Sequence, residues 1–270
     1  MTTPPEGLHF CAAEAPLFDE VGSAYARHLR TLRGLIRDHV TRANLASHLA
    51  SGDVRLAIDI GSGTGGDALW LAAQGIAVVM AEPSESMRNE ALSNLEHEED
   101  VIRSRVQVFA GDHRDAVAHF DTGQFDLVLC HGVLMYQDEP RQFIQSLRRL
   151  CKTNGLISLT TKNARSLAFR PALAGDYEAA YNLLIADRSL GTLGIDTRAH
   201  SIQQIVDWLF EFKLLLANWY GIRVFTDHLA DADPEAESLD QILRLETEAS
   251  RKEPYKHAAR LLHVVAKKIV

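Results

Sequence analysis

The feature that most constrains this chain is Leu56-Ala-Ile-Asp-Ile-Gly-Ser-Gly-Thr-Gly-Gly66, an apolar run that reaches an acid and then breaks into glycines. An uninterrupted Leu/Ile/Ala run suits a strand buried on both faces, and such strands belong to parallel sheets covered by helices. Gly61, Gly63 and Gly65 allow a tight turn and let the backbone approach a ligand that a Cβ would exclude. The stretch therefore reads as strand, loop and helix start, with a small polar ligand at the loop.

Two ligand classes compete for that loop. Gly61, Gly63 and Gly66 also satisfy G-x-G-x-x-G, the dinucleotide fingerprint. A pyrophosphate would sit on the loop and helix N-terminus, where Asp59, two residues before the first glycine, repels it. The ammonium group of S-adenosylmethionine is attracted instead. The next apolar run, from Ile76, ends in Glu82, an acid suited to accept hydrogen bonds from two ribose hydroxyls. Asp59-x-Gly61-x-Gly63-x-Gly65 with Glu82 resembles motifs I and II of class I S-adenosylmethionine-dependent methyltransferases. The resemblance implies that cofactor, with Ser62 and the three glycines against it. It also implies an α/β fold, a doubly wound, seven-stranded, mostly parallel Rossmann-like sheet.

Composition bounds the alternatives. A chain of 270 residues is long enough for one sizeable core with additions, and a net charge of -8 argues against a generally basic nucleic-acid binder. The charge is segregated, however. Arg27, Arg30, Arg33, Arg37 and Arg42 share a stretch poor in acids, whereas Glu96 to Asp100 and Asp231 to Glu237 are acidic. The arginines read either as a solvated helix face or as a rim that holds a phosphate backbone. Cys11, Cys130 and Cys151 are too scattered for a disulfide framework, and the 12 histidines lack zinc-site spacing, so no metal is expected. No apolar stretch reaches the roughly 20 residues of a membrane span, and the start lacks a signal peptide's order. A cytoplasmic protein with no membrane partner is expected.

In chain order, the pattern predicts a single domain in four parts. Residues 1–50 supply a tail, to about Pro16, and one or two amphipathic helices broken near Gly34. Residues 51–162 alternate strand and helix as the cofactor-binding half, with strands ending at Glu82, Gly111-Asp112-His113 and Cys130-His131, and a fifth over Leu156 to Thr161. Residues 163–200 break the pattern and read as a helical cap insertion, with Gly191 and Gly194 marking a loop. Residues 201–270 return to the sheet through a helix at Ser201 to Phe210, a strand at Phe212 to Tyr220, an acidic helix and a last strand at Leu262 to Ala266. The methyltransferase resemblance implies that this last strand is inserted antiparallel, and that Asp112 reaches the adenine amino group with His113 beside it. The residues alone leave open that Asp112 merely caps a short helix and that His131 is a loop histidine.

The second half resembles a narrower family. Gly221-Ile-Arg-Val-Phe-Thr-Asp-His228, Leu245-Glu-Thr-Glu248, Glu253-Pro-Tyr255 and His263-Val264 are similar, in the same order, to the bacterial tRNA 5-carboxymethoxyuridine methyltransferases, the SmtA-like family. Gly34 to Arg37, His131 with Val133-Leu134, and Asn163-Ala164 extend the likeness. It implies that Arg37 and His131 contact the cofactor, and a guanidinium fork at Arg37 suits the methionine carboxylate. It also implies a tRNA anticodon loop as partner, with 5-carboxymethoxyuridine at the wobble position as the acceptor. Two stretches depart from the family: Leu29 to Gly34 replaces its Tyr-Gly-Thr-Thr-Lys-Gly, and Asp187 to Thr192 replaces a lysine-rich part of the cap. A small-molecule carboxylate, methylated or otherwise alkylated from the same cofactor, is the alternative acceptor. A carboxylate is already ionised at neutral pH and needs no general base. Arg223, inside the family-like stretch, is the candidate for orienting it, and Tyr136 is a candidate stacking face for the base.

Overall fold

The computed structural model describes residues 19, 27–190, 194–229 and 236–270; the expected tail up to Pro16, Cys11 and Gly191 lie outside these. The described chain opens on α1 (Leu32–Leu49) and then alternates through β1 (Leu56–Ile60), α2 (Gly66–Ala73), β2 (Ala77–Ala81), α3 (Glu85–Glu96), the single turn α4 (Asp100–Arg103), β3 (Val106–Phe109), α5 (His113–His119), β4 (Phe125–His131), α6 (Pro140–Leu150) and β5 (Cys151–Lys162). A cap follows, made of α7 (Phe169–Leu173), α8 (Tyr177–Leu183) and a hairpin of β6 (Arg188–Leu190) and β7 (Asp196–Arg198). The chain returns through α9 (Ile202–Glu211), β8 (Leu214–Ile222), α10 (Ala236–Ala249) and β9 (Leu261–Lys268).

Among the described residues seven strands form one sheet in the order β3-β2-β1-β4-β5-β9-β8, with β9 antiparallel to both neighbours. Side-chain alternation sends Ile58, Ile60, Val128 and Cys130 to one face, against Phe143, Ile144 and Leu147 of α6. Ala57, Leu127 and Leu129 face the other way, onto Leu45 of α1 and Ala68 and Leu71 of α2. Two buried faces explain why β1 and β4 carry continuous apolar runs. Helix starts follow local chemistry: Ser84 caps α3, Pro140 opens α6 where a backbone N–H is dispensable, and Ser201 with Gln204 forms a capping box on α9. The register pairs Asp59 with Met80 and with Leu129, so the carboxyl ends of β1, β2 and β4 end side by side.

Four expectations are corrected. The helical break lies at Arg30 and Thr31 rather than at Gly34, because the Thr31 hydroxyl accepts the Gly34 N–H and caps α1. The fifth strand begins at Cys151 instead of Leu156; a register shift between Phe125 and Leu127 absorbs the extra residues. The cap is not wholly helical but contains the β6–β7 hairpin, whose three-residue strands carry no readable alternation. Finally, the five arginines from Arg27 to Arg42, three of them on α1, share neither one solvated face nor one phosphate rim. Arg33 is buried and donates to the Leu229 carbonyl at 2.6 Å, and Arg42 pairs with Asp67 at 2.8 Å, while Arg27 and Arg30 are exposed. Cys130 and Cys151 are buried free thiols, that of Cys151 pushed up to about 12 by burial. Among the described residues no three His, Cys, Asp or Glu side chains are grouped to hold a metal, and no helix is long and apolar enough to cross a membrane.

Candidate active site

Gly61, Gly63 and Gly65 all have positive φ, at 69°, 57° and 83°. A Cβ on Gly61 would lie 2.4 Å from Cγ2 of Val133, so the loop after β1 and the turn after β4 close on one another only through glycine. Gly65 does a different job from the one expected. It is the N-cap of α2, and its missing Cβ makes room for Met80 and Ala91, so it seats the helix rather than lining a cavity.

Two cavities meet at Gly61 and His131, over the carboxyl ends of β1, β2 and β4. One is walled by Glu82, Asp112, His113, Tyr136 and Phe143. Glu82 is buried and already oriented: Oε2 accepts the Gly63 N–H at 2.8 Å and Oε1 accepts the Ser84 N–H at 2.9 Å. Burial raises its pKa above the ordinary range, and each oxygen keeps a lone pair for a further donor. Asp112 caps α5 and also lines the cavity, so the helix cap and a place at the cavity coexist. Its Oδ1 accepts the Arg114 and Asp115 N–H groups, and its Oδ2 meets the Arg114 side chain. His113 stands edge-on to Phe143 with ring centroids 4.7 Å apart, and burial lowers its pKa, so the ring is neutral.

The other cavity is walled by Arg37, Arg42, Asp59, Ser62 and Asp67. Asp59 is 3% exposed, and burial, with Asp67 beside it, pushes its carboxyl up to about 7. A cation placed against such a carboxyl would restore its ionised form. Arg37 sits at the rim, its guanidinium bonded to Asp38 through Nε at 2.9 Å and Nη2 at 2.7 Å. Asp67 and Arg42 are site residues that sequence reasoning missed. Asp67 lies in the first turn of α2 and accepts from Nδ1 of His131 at 2.8 Å and from Nε of Arg42 at 2.8 Å. Burial works to raise its pKa, but these two cationic or donating groups outweigh it and hold the carboxyl below its ordinary range. His131 is fixed from its other side too: Nε2 lies 2.8 Å from Oγ of Ser158 on β5, which lies 2.9 Å from Nε2 of His263 on β9.

Arg223 is not in either of these cavities. It lies after β8 in a third, of about 190 Å³, together with Arg170, Arg260, Asp227, Phe169 and Phe225. Its backbone is left-handed, at φ 60°, and its side chain is buried; its Nε, 3.4 Å from Oδ1 of Asp227, makes no hydrogen bond. Burial draws its pKa down to about 10, and the charges of Arg260, Arg37 and Arg33 act in the same direction. Arg37, which lines the second cavity, is thus within electrostatic range of this third one. Glu246 on α10, fully buried, holds the segment in place by accepting the N–H groups of Val224, Phe225 and Thr226 at 2.7 to 2.9 Å. Asn163 ties the end of β5 to the same region through the His257 and Ala259 carbonyls.

Residues 58–159, which span the glycine loop and the cavities over β1, β2 and β4, match the family model described as a methyltransferase domain. The tRNA 5-carboxymethoxyuridine methyltransferase of Escherichia coli (strain K12) is 28% identical over 254 residues, covering 93% of this chain and 95% of that protein. The chain carries a methyltransferase domain and is an S-adenosylmethionine-dependent methyltransferase. Its cofactor is S-adenosylmethionine. The methyltransferase is also 33% identical over 148 residues to a demethylmenaquinone methyltransferase of Clavibacter sepedonicus, across 52% of this chain and 54% of that one. Among solved structures, magnesium protoporphyrin IX methyltransferase from Synechocystis superposes with a TM-score of 0.62 at 15% identity, over 94% of this chain and 97% of the other. That likeness establishes the shared fold. The seven-stranded sheet with β9 inserted antiparallel matches the expectation drawn from the sequence.

Proposed function

We propose that the methyltransferase esterifies the carboxylate of 5-carboxymethoxyuridine at the wobble position of tRNA. The observation that carries this reading is the third cavity, where Arg223, Arg260 and Arg170 face a single carboxylate, Asp227. Buried positive charge in excess of its partners is completed by an anion from outside. The relative that matches along 93% of the chain is, by its name, a tRNA 5-carboxymethoxyuridine methyltransferase.

In this reading the two joined cavities take the cofactor. The residues present fit it: Asp59 for the ammonium, Arg37 for the carboxylate, Glu82 for the ribose hydroxyls, and Asp112 with His113 at the adenine. Ser62 Oγ and His113 Nδ1 are buried without a partner, polar atoms that a ligand would satisfy. S-adenosylmethionine, when bound, supplies an electrophilic methyl group on a positively charged sulfonium. The protein's task is then alignment and exclusion of water. His131, held by Asp67 and Ser158, fixes the floor where the two cavities meet. Arg223 turns the acceptor carboxylate, and no side chain has to remove a proton because the nucleophile arrives ionised. Tyr136, expected as a stacking face, lines the cofactor cavity.

Incubating tRNA that contains 5-carboxymethoxyuridine with enzyme and cofactor, followed by nucleoside mass spectrometry, tests the reading. The expected product is the methyl ester. Arg223→Lys should lose turnover on the order of 10- to 100-fold with cofactor affinity retained, since an ammonium cannot reproduce the fork. Absence of the ester in a preparation that binds cofactor moves the acceptor to a small-molecule carboxylate.

A further inference from the structure

The cap carries an apolar surface that nothing in the methyl-transfer chemistry requires. Phe169, Leu173, Tyr177, Tyr181, Leu184 and Ile185 are all exposed, Tyr177 by 74%, Tyr181 by 70% and Ile185 by 93%. The first four recur at intervals of four along α7 and α8, with a break for the Asp176 cap of α8. Apolar side chains at this density on one short segment mark an interaction site, where scattered exposed hydrophobics would need no explanation. The cap that presents them is anchored on the sheet: Asn163 pairs with His200, and Lys162 Nζ donates to the Ser189 carbonyl at 3.1 Å and to its hydroxyl at 3.0 Å.

We propose that this face is a stacking platform for unpaired RNA bases beside the one that enters the arginine cavity. The inference rests on the tRNA reading above and extends it to a surface outside the reaction centre. Its first argument is continuity. Phe169 and Leu173 belong to both features, lining the arginine cavity and beginning the exposed row, so a strand with one nucleotide in the cavity lays its neighbours along the cap. Charge is the second argument: Arg170 and Arg260 stand at the cavity end, while α8 carries Asp176 and Glu178. That distribution suits phosphates at the cavity and base faces, not a phosphate track, farther along. Side-chain type is the third. Phenylalanine and tyrosine rings accept any base face, and a tyrosine hydroxyl stays wet while its ring stacks.

Tyr177 and Tyr181 are largely solvent-exposed, so Tyr177→Ser with Tyr181→Ser leaves the fold intact. The probe is a synthetic anticodon stem-loop RNA, titrated into enzyme saturated with S-adenosylhomocysteine. The expected result is binding weakened by about 10- to 100-fold, with cofactor-product affinity, melting temperature and turnover on the free 5-carboxymethoxyuridine nucleoside unchanged. Stem-loop affinity within twofold of wild type overturns the platform while the tRNA reading survives, provided that wild type still esterifies tRNA. A wild-type dimer that the double variant splits in sedimentation assigns the face to self-association and overturns it likewise. If wild type binds no stem-loop and esterifies only small carboxylates, the platform and the tRNA reading fall together.

Discussion

At the residue scale, Asp59 is a buried carboxylate that the proposed function sets against the cofactor's ammonium group. Its carboxyl, pushed up to about 7, takes a proton in the folded state at pH values where the unfolded chain has lost it. Between about pH 4 and 7 the folded state therefore holds more protons than the unfolded state, and this residue's contribution to stability falls as pH rises. Cofactor binding has the opposite sign, because only the ionised form attracts an ammonium. Affinity for S-adenosylmethionine should rise from about pH 6 to about pH 8 in wild type, and Asp59→Asn should bind roughly 2 to 4 kcal/mol more weakly with the pH dependence removed. Calorimetry at three pH values checks both; a pH-dependent Asn variant would place the titration elsewhere.

At the element scale, the loop after β1 and the turn after β4 form a lock whose fit depends on one hydrogen atom. Gly61→Ala combines a left-handed φ with a Cβ 2.4 Å from a stiff valine, and should cost roughly 2 to 4 kcal/mol in denaturant melts and abolish cofactor binding. Adding Val133→Ala should recover the steric part and leave the backbone part. The same comparison shows what a linear reading captures. That Asp59, Glu82, Gly61 and Gly63 line cavities at strand ends was legible because each lies within a few residues of its own strand end and turn, whereas the helix-seating role of Gly65 was not. Asp67 was not, since its meaning depends on His131, which lies on another strand far along the chain, and a first-turn acid on a helix is ordinary by itself. Arg223 was singled out, but its companions Arg170 and Arg260 were not, because the cavity gathers the first cap helix, the segment after β8 and the segment before β9, which lie far apart in the chain. Glu246 sat in a quoted motif with its role hidden, for a buried carboxylate that binds three successive backbone N–H groups looks like any other acid on a helix. Arg33 reversed its apparent meaning: a surface charge by composition, it is a buried tie to the Leu229 carbonyl.

At the scale of the whole molecule, β9 joins the sheet that binds cofactor to the segments that form the arginine cavity. Val264 pairs with Leu159 on one side and Trp219 on the other, and its side chain is fully buried. Val264→Pro should therefore break two ladders at once and cost more than about 3 kcal/mol, lost in a thermal melt as the cooperative transition itself. A melt close to that of wild type would mean that β8 docks without its neighbour. The inserted strand also has a consequence in time. Leu156 meets Lys267 only after about a hundred further residues have been made, which at roughly 5 to 20 residues per second leaves the edge of β5 open for about 5 to 20 s on the ribosome. During that interval β1 to β5 are complete and the arginine cavity does not exist, so a nascent chain passes through a state that has the glycine loop and its two cavities before it has the third.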